Sequence, residues 1–148
     1  MSMTAKFDVL SVKEFADALR ADVHQALRPA AQAGSQLLYE RVMLNVPRSR
    51  HAHYFHGTSY KKYGTKYFFN PGTLARSIYQ VFSKDNSGKN LATYHISWNH
   101  QEAPYGFMVE YGTKNAPPVG FVRRAQSAMP LALNAVEKEL FLRLKEFK

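Results

Sequence analysis

Ile78-Tyr79-Gln80-Val81-Phe82, the polar run Lys84-Asp85-Asn86-Ser87-Gly88-Lys89-Asn90, and Ala92-Thr93-Tyr94-His95-Ile96-Ser97-Trp98 decide the fold class of this 148-residue chain. The two outer segments are rich in β-branched and aromatic residues, which suit a pleated, half-buried surface. The segment between them is turn-forming but too long for a tight turn, so it predicts an antiparallel hairpin with a wide connector. On both sides of the hairpin the periodicity changes to helical. Upstream, apolar residues recur at Val12, Phe15, Ala16, Leu19, Val23, Ala26 and Leu27, and again at Ala30, Ala33, Leu37 and Leu38 up to Leu44. Ser11-Val12-Lys13-Glu14 has the form of a capping box opening this helix. Pro29 predicts a kink or a break in it, and Pro47 ends it. Downstream, residues 122–147 put Val122, Ala125, Met129, Leu133, Val136, Leu140 and Leu144 on one face, with Pro130 expected to kink the helix early. A short helix is expected over Pro104–Tyr111, stopped by Gly112 in a left-handed conformation. The order α, loop, β, β, short α, loop, α predicts an α+β fold, with long N- and C-terminal helices packed on a small antiparallel sheet.

Composition narrows the function classes. At this length one domain over 1–148 is expected, with residues 1–10 as an N-terminal tail and 48–71 as an inserted flexible loop. Hydrophobic residues make up 45% of the chain, enough for a core, so wholesale disorder is excluded. No stretch approaches the roughly 18 uninterrupted apolar residues of a membrane span. The start of the chain lacks a basic segment followed by an apolar one, so it does not read as a secretory signal. The absence of cysteine removes disulfides, thiol catalysis and thiolate metal sites.

The net charge of +9 is unevenly placed. Residues 1–47 and 70–113 are each neutral, while 114–148 carry +4. Residues 48–69 carry Arg48, Arg50, Lys61, Lys62 and Lys66 with no acid, together with seven of the 20 aromatics and three of the six histidines. Lysine and arginine interleaved with tyrosine and phenylalanine can neutralise phosphates and stack on bases, or order against a protein partner. His51-x-His53-x-x-His56 lacks helical spacing and has no neighbouring acid, so no metal site is assigned. Glu102 and Glu110 flank Tyr105 without a placed partner, and no nucleophile–base arrangement or phosphate-binding glycine loop is visible. No catalytic residue and no cofactor is assigned.

The order of the remaining motifs is informative. Pro47 is followed by Gly72-Thr73-Leu74-Ala75-Arg76-Ser77-Ile78, then Pro104-Tyr105-Gly106-Phe107-Met108-Val109-Glu110-Tyr111-Gly112-Thr113, then Phe121-Val122-Arg123-Arg124-Ala125. This pattern resembles the gene-ten-like tail-component family of lambdoid long-tailed bacteriophages, the head–tail joining or tail-completion proteins of the neck. The resemblance spans about residues 10–148 and rests chiefly on Val109-Glu110-Tyr111-Gly112-Thr113. It departs from the family pattern in the insertion before Gly72, in Gly106 where Ala is usual, and in Arg124 where Pro is usual. It implies that Pro47, Gly72, Leu74, Ser77, Ile78, Tyr105, Val109, Glu110, Gly112, Thr113, Phe121, Arg123 and Ala125 form a structural motif. It further implies a non-enzymatic virion or prophage protein in a ring, hexameric by the family pattern, through which DNA passes. The implied partners are further copies of the chain, a head connector or portal adaptor, and tail-tube or tail-terminator proteins, with non-specific DNA contact and no membrane. The implied location is the virion neck, with the bacterial host cytoplasm during assembly. The related tail-terminator role, a small basic nucleic-acid-binding module and, on the histidines alone, a metal-dependent nuclease are the alternatives. Glu110 falls at the anion-unfavourable end of its short helix, so a cationic partner such as Arg76 or Arg123 is expected, the other reading being a solvent-exposed carboxylate.

Overall fold

The computed structural model describes residues 2–8, 20–55, 58–64 and 66–146. The capping box at Ser11 and the first helical repeat from Val12 to Leu19 lie outside them. In chain order the elements are β1 (Met3–Asp8), α1 (Arg20–Asn45), β2 (His53–Phe55), α2 (Thr58–Tyr63), β3 (Tyr67–Phe69), α3 (Thr73–Arg76), β4 (Ile78–Phe82), β5 (Leu91–Trp98), α4 (Gly106–Tyr111), α5 (Phe121–Ala125), a 3-10 turn (Gln126–Ala128) and α6 (Met129–Glu146). The fold is α+β, as the periodicity predicts.

The hairpin forms where expected, with Ile78 opposite Trp98 and Phe82 opposite Tyr94. Its connector folds back on β5. The Thr93 hydroxyl donates to the Asn86 carbonyl at 2.6 Å, and the Thr93 N–H donates to the Ser87 hydroxyl at 2.9 Å. A third strand joins on the other side of β5, giving the order β1-β5-β4. It comes from the segment assigned to an N-terminal tail: Met3–Asp8 pairs antiparallel with β5, Met3 opposite Ile96. Met3 and Ala5 are buried while Thr4 and Lys6 are exposed, the period-two alternation of a half-buried strand.

One sheet face packs on α1 through Met3, Ala5, Ile78, Ala92, Ile96 and Trp98. The helices α1 and α6 run antiparallel, with Val23, Ala26 and Ala30 meeting Leu140 and Leu144 at one end. At the other end the Asn45 amide donates to the Phe121 carbonyl at 3.3 Å. Alanines at the crossing (Ala26, Ala30, Ala31, Ala125, Ala128, Ala132) let the two backbones approach closely.

Both prolines act differently from expectation. Helix α1 continues through Pro29. The carbonyl one turn earlier belongs to exposed Gln25, so water can replace the missing donor. Pro130 lies in the first turn of α6, where a missing N–H has no intrahelical partner to lose; the break comes earlier, at the 3-10 turn. That turn shifts the buried stripe, so Ala132 faces inward and Leu133 is 47% exposed, against its expected place on the buried face.

Gly106 is required by its packing against Trp98. A Cβ at Gly106 would lie 2.3 Å from Trp98 Nε1, and Trp98 is fully buried against Phe121 at a ring separation of 5.5 Å. The indole occupies the space an alanine methyl would need. Gly106→Ala is expected to lower stability by about 1–3 kcal/mol, read by urea unfolding followed by Trp98 fluorescence. An unchanged midpoint would contradict this packing.

Candidate functional site

Within the segment expected as an inserted flexible loop, the described residues include two short strands and a helix. They form a small excursion in which β2 and β3 pair antiparallel (His53 with Phe69, Tyr54 with Phe68, Phe55 with Tyr67), with α2 between them in chain order. Each strand has three residues, too few to show alternation in sequence. Aromatic stacking anchors it to the body. Phe69 is buried, its ring 4.6 Å from that of Tyr105, and His53 lies 5.9 Å from both. His53 is therefore an aromatic packing residue. His56 lies outside the described residues, and among those described no three His, Asp or Glu side chains gather to hold a metal.

Outward, the excursion is basic and aromatic. Arg48 and Arg50 are exposed at its base, Lys61 and Lys62 lie in the last turn of α2, and Lys66 leads into β3. The ammonium groups of Lys62 and Lys66 lie 5.2 and 5.7 Å from the Tyr63 and Tyr60 ring centres. Tyr63 and Phe68 are 70% and 53% exposed. Among the described residues the one ion pair is Arg143 with Glu139, so none of these five cations has a carboxylate within 4.0 Å.

Five residues of the sequence motif, scattered over 63 positions, line one cleft. Pro47, Gly72, Leu74, Tyr105 and Val109 surround a space of about 320 Å³ together with Arg48. An adjoining space of about 260 Å³ shares Arg48 and Gly72 and adds Arg76. The Arg76 guanidinium donates to the Pro71 carbonyl at 2.8 Å. Burial raises the Tyr105 phenol above its ordinary pKa, against the opposing effects of a hydrogen bond with the Leu74 backbone and the Arg76 charge. Ser77 is buried and its hydroxyl donates to the Leu74 carbonyl at 2.8 Å, while Ile78 joins the core.

The remaining motif residues form a lock between α4 and α5. Glu110 is 1% exposed. Its Oε2 accepts the Val122 N–H at 2.9 Å and its Oε1 the Arg123 N–H at 3.0 Å. Its backbone carbonyl accepts the Gly120 N–H at 3.1 Å, and the Val109 carbonyl accepts the Val119 N–H at 2.9 Å. The expected cationic partner is thus replaced by two amides at the start of α5, and Arg123 contributes its backbone while its side chain is exposed. A carboxylate at the C-terminal end of one helix is stabilised because it sits on the N-terminal end of another. Gly112 (φ 80°, ψ 178°) turns the chain out of α4. It has the positive φ expected of it, with an extended ψ in place of the left-handed helical pair. Thr113 closes the following turn, its N–H donating to the Ala116 carbonyl at 2.8 Å. Phe121 and Ala125 are fully buried.

Glu102 does not join Glu110; it accepts a hydrogen bond from the Asn99 amide at 3.0 Å at the surface. Comparison with family models, with curated proteins and with solved structures finds no match to this chain.

Proposed function

We propose that this chain is a structural, non-catalytic component of a phage or prophage head–tail junction, assembling as a ring around the DNA path. One observation carries the reading. The blocks that make up the resemblance are physically interlocked, through the Pro47–Gly72–Tyr105 cleft and through Glu110 on the Val122 and Arg123 amides. That interlock supports reading the blocks as one structural unit. Exposed apolar groups on separate faces also favour assembly: Phe107, Met108 and Tyr111 on α4, and Leu131, Phe141 and Leu142 on α6. A closed ring needs head-to-tail contacts between two different faces of each copy.

In this reading the basic excursion points toward the lumen, where DNA phosphates would meet Arg48, Arg50, Lys61, Lys62 and Lys66. Such contact is sequence-independent and weakens with salt. Replacing Lys61, Lys62 and Lys66 together by alanine is expected to lower the slope of log affinity for random duplex DNA against log salt by about one per lysine. Fluorescence anisotropy over a salt series measures it. An unchanged slope would assign the excursion to a protein partner instead. The same lysines would serve a small nucleic-acid-binding module, the second reading; strong, salt-dependent DNA binding by the monomer favours it.

A further inference from the structure

We infer that the outer edge of β4 is a subunit joint, which adds the β1 strand of a second copy and continues the sheet from one subunit to the next. This rests on the ring reading above and names its contact.

The hydrogen-bond parity of the sheet supplies the first observation. The Ser83 N–H donates to the Thr93 carbonyl at 2.9 Å and the Asn99 N–H to the Ser77 carbonyl at 2.8 Å. With Gln80 opposite Ile96, the backbone groups of Ser77, Tyr79, Val81 and Ser83 face β5, and those of Gln80 and Phe82 face away from it. No described residue bonds to the N–H or C=O of Gln80 or Phe82 on that side. Among the described residues the edge is therefore an unpaired ladder.

The second observation is what the edge lacks. Sheet edges in monomeric proteins are blunted by lysine, proline, bulges or a covering element. Ile78-Tyr79-Gln80-Val81-Phe82 has no charge and no proline, and Tyr79 and Val81 are 42% and 48% exposed. Such a strand is a template for pairing.

The occupant follows from strand order and direction. Among the described residues the sheet's other edge is β1, and β1 and β4 both run antiparallel to β5, hence parallel to each other. Continuing the sheet head to tail sets β4 of one copy beside β1 of the next, running the same way. That contact is head-to-tail, the kind whose repetition closes a ring when the rotation between copies divides a full turn. Pairing of β4 with β4 across a two-fold would be antiparallel and would stop at a dimer.

The chain has no cysteine, so introduced pairs report unambiguously. Val81 and Thr4 lie on the same sheet face, both opposite His95. Val81→Cys combined with Thr4→Cys, and separately with Lys6→Cys, is oxidised and run on a denaturing gel. The expected result is a ladder of covalent oligomers from a double variant and none from the single ones. Dimers from Val81→Cys alone would overturn the proposal in favour of the two-fold. In parallel, Gln80→Pro removes the outward N–H, while Gln80→Ala keeps it and loses the same side-chain bond to Ser35. Native mass spectrometry is expected to find Gln80→Ala assembled and Gln80→Pro folded but monomeric. Rings from Gln80→Pro, or wild-type rings with neither double variant cross-linking, would overturn the β4 joint and leave the ring reading standing. A wild-type chain that forms no ring would remove the ring reading itself, and the joint with it.

Discussion

Glu110→Gln is expected to cost about 2–4 kcal/mol of stability, a fall in Tm on the order of 10 °C. The glutamine keeps the size of the side chain and one acceptor. It replaces the second oxygen with an NH₂ that points at an amide N–H, leaving two donors facing each other in a buried site. It also removes the charge that the start of α5 stabilises. Because the carboxylate bridges the Val122 and Arg123 amides, the loss falls on the packing of α4 against α5 as well as on a helix cap. The exposed α4 face (Phe107, Met108, Tyr111) is then less firmly held, so assembly is expected to weaken together with stability. Thermal unfolding by circular dichroism, with Glu110→Ala beside Glu110→Gln, checks this. Wild-type stability in both variants would remove Glu110 from its place in the account.

Gly112→Ala is expected to be comparably damaging, by about 2–5 kcal/mol. Two costs combine. The backbone at φ 80° and ψ 178° is a conformation that only glycine adopts without strain. A Cβ there would also lie 2.7 Å from the Pro118 nitrogen and 2.9 Å from the Ala116 carbonyl oxygen, both backbone atoms that cannot swing aside. Relief would require displacing the 113–118 turn, which delivers Val119 and Gly120 to the Val109 and Glu110 carbonyls. The measurable result is a lowered urea midpoint and loss of slow amide exchange at Val122 and Arg123. A variant that keeps both would show that the turn tolerates a side chain.

The parts of the fold legible in the sequence are those whose signal is long. The β4–β5 hairpin carries β-rich runs around a polar connector, and α1 and α6 each repeat their apolar stripe over several turns. Short or context-dependent elements were illegible for physical reasons. A three-residue strand such as His53–Phe55 has no period of its own and is held by its partner and by Tyr105, neither near it in sequence. The strand Met3–Asp8 did carry a signal, strict alternation, which its terminal position concealed. At the site, the positions of Pro47, Gly72, Tyr105 and Glu110 marked a motif, but the partner of Glu110 could not be read. Sequence displays side chains, and the groups that meet this carboxylate are backbone amides. A helical wheel places Leu133 inward because it cannot see the 3-10 turn that rotates the stripe onto Ala132.

The central claim is that copies of this chain close into a ring, and native mass spectrometry with negative-stain electron microscopy of the purified 148-residue chain tests it most directly. The account predicts one dominant mass at a fixed multiple of the 16.9 kDa chain, six if the proposed resemblance holds, and ring-shaped particles with a central hole. A single-chain mass at every concentration and ionic strength, with no ring in the images, would contradict it.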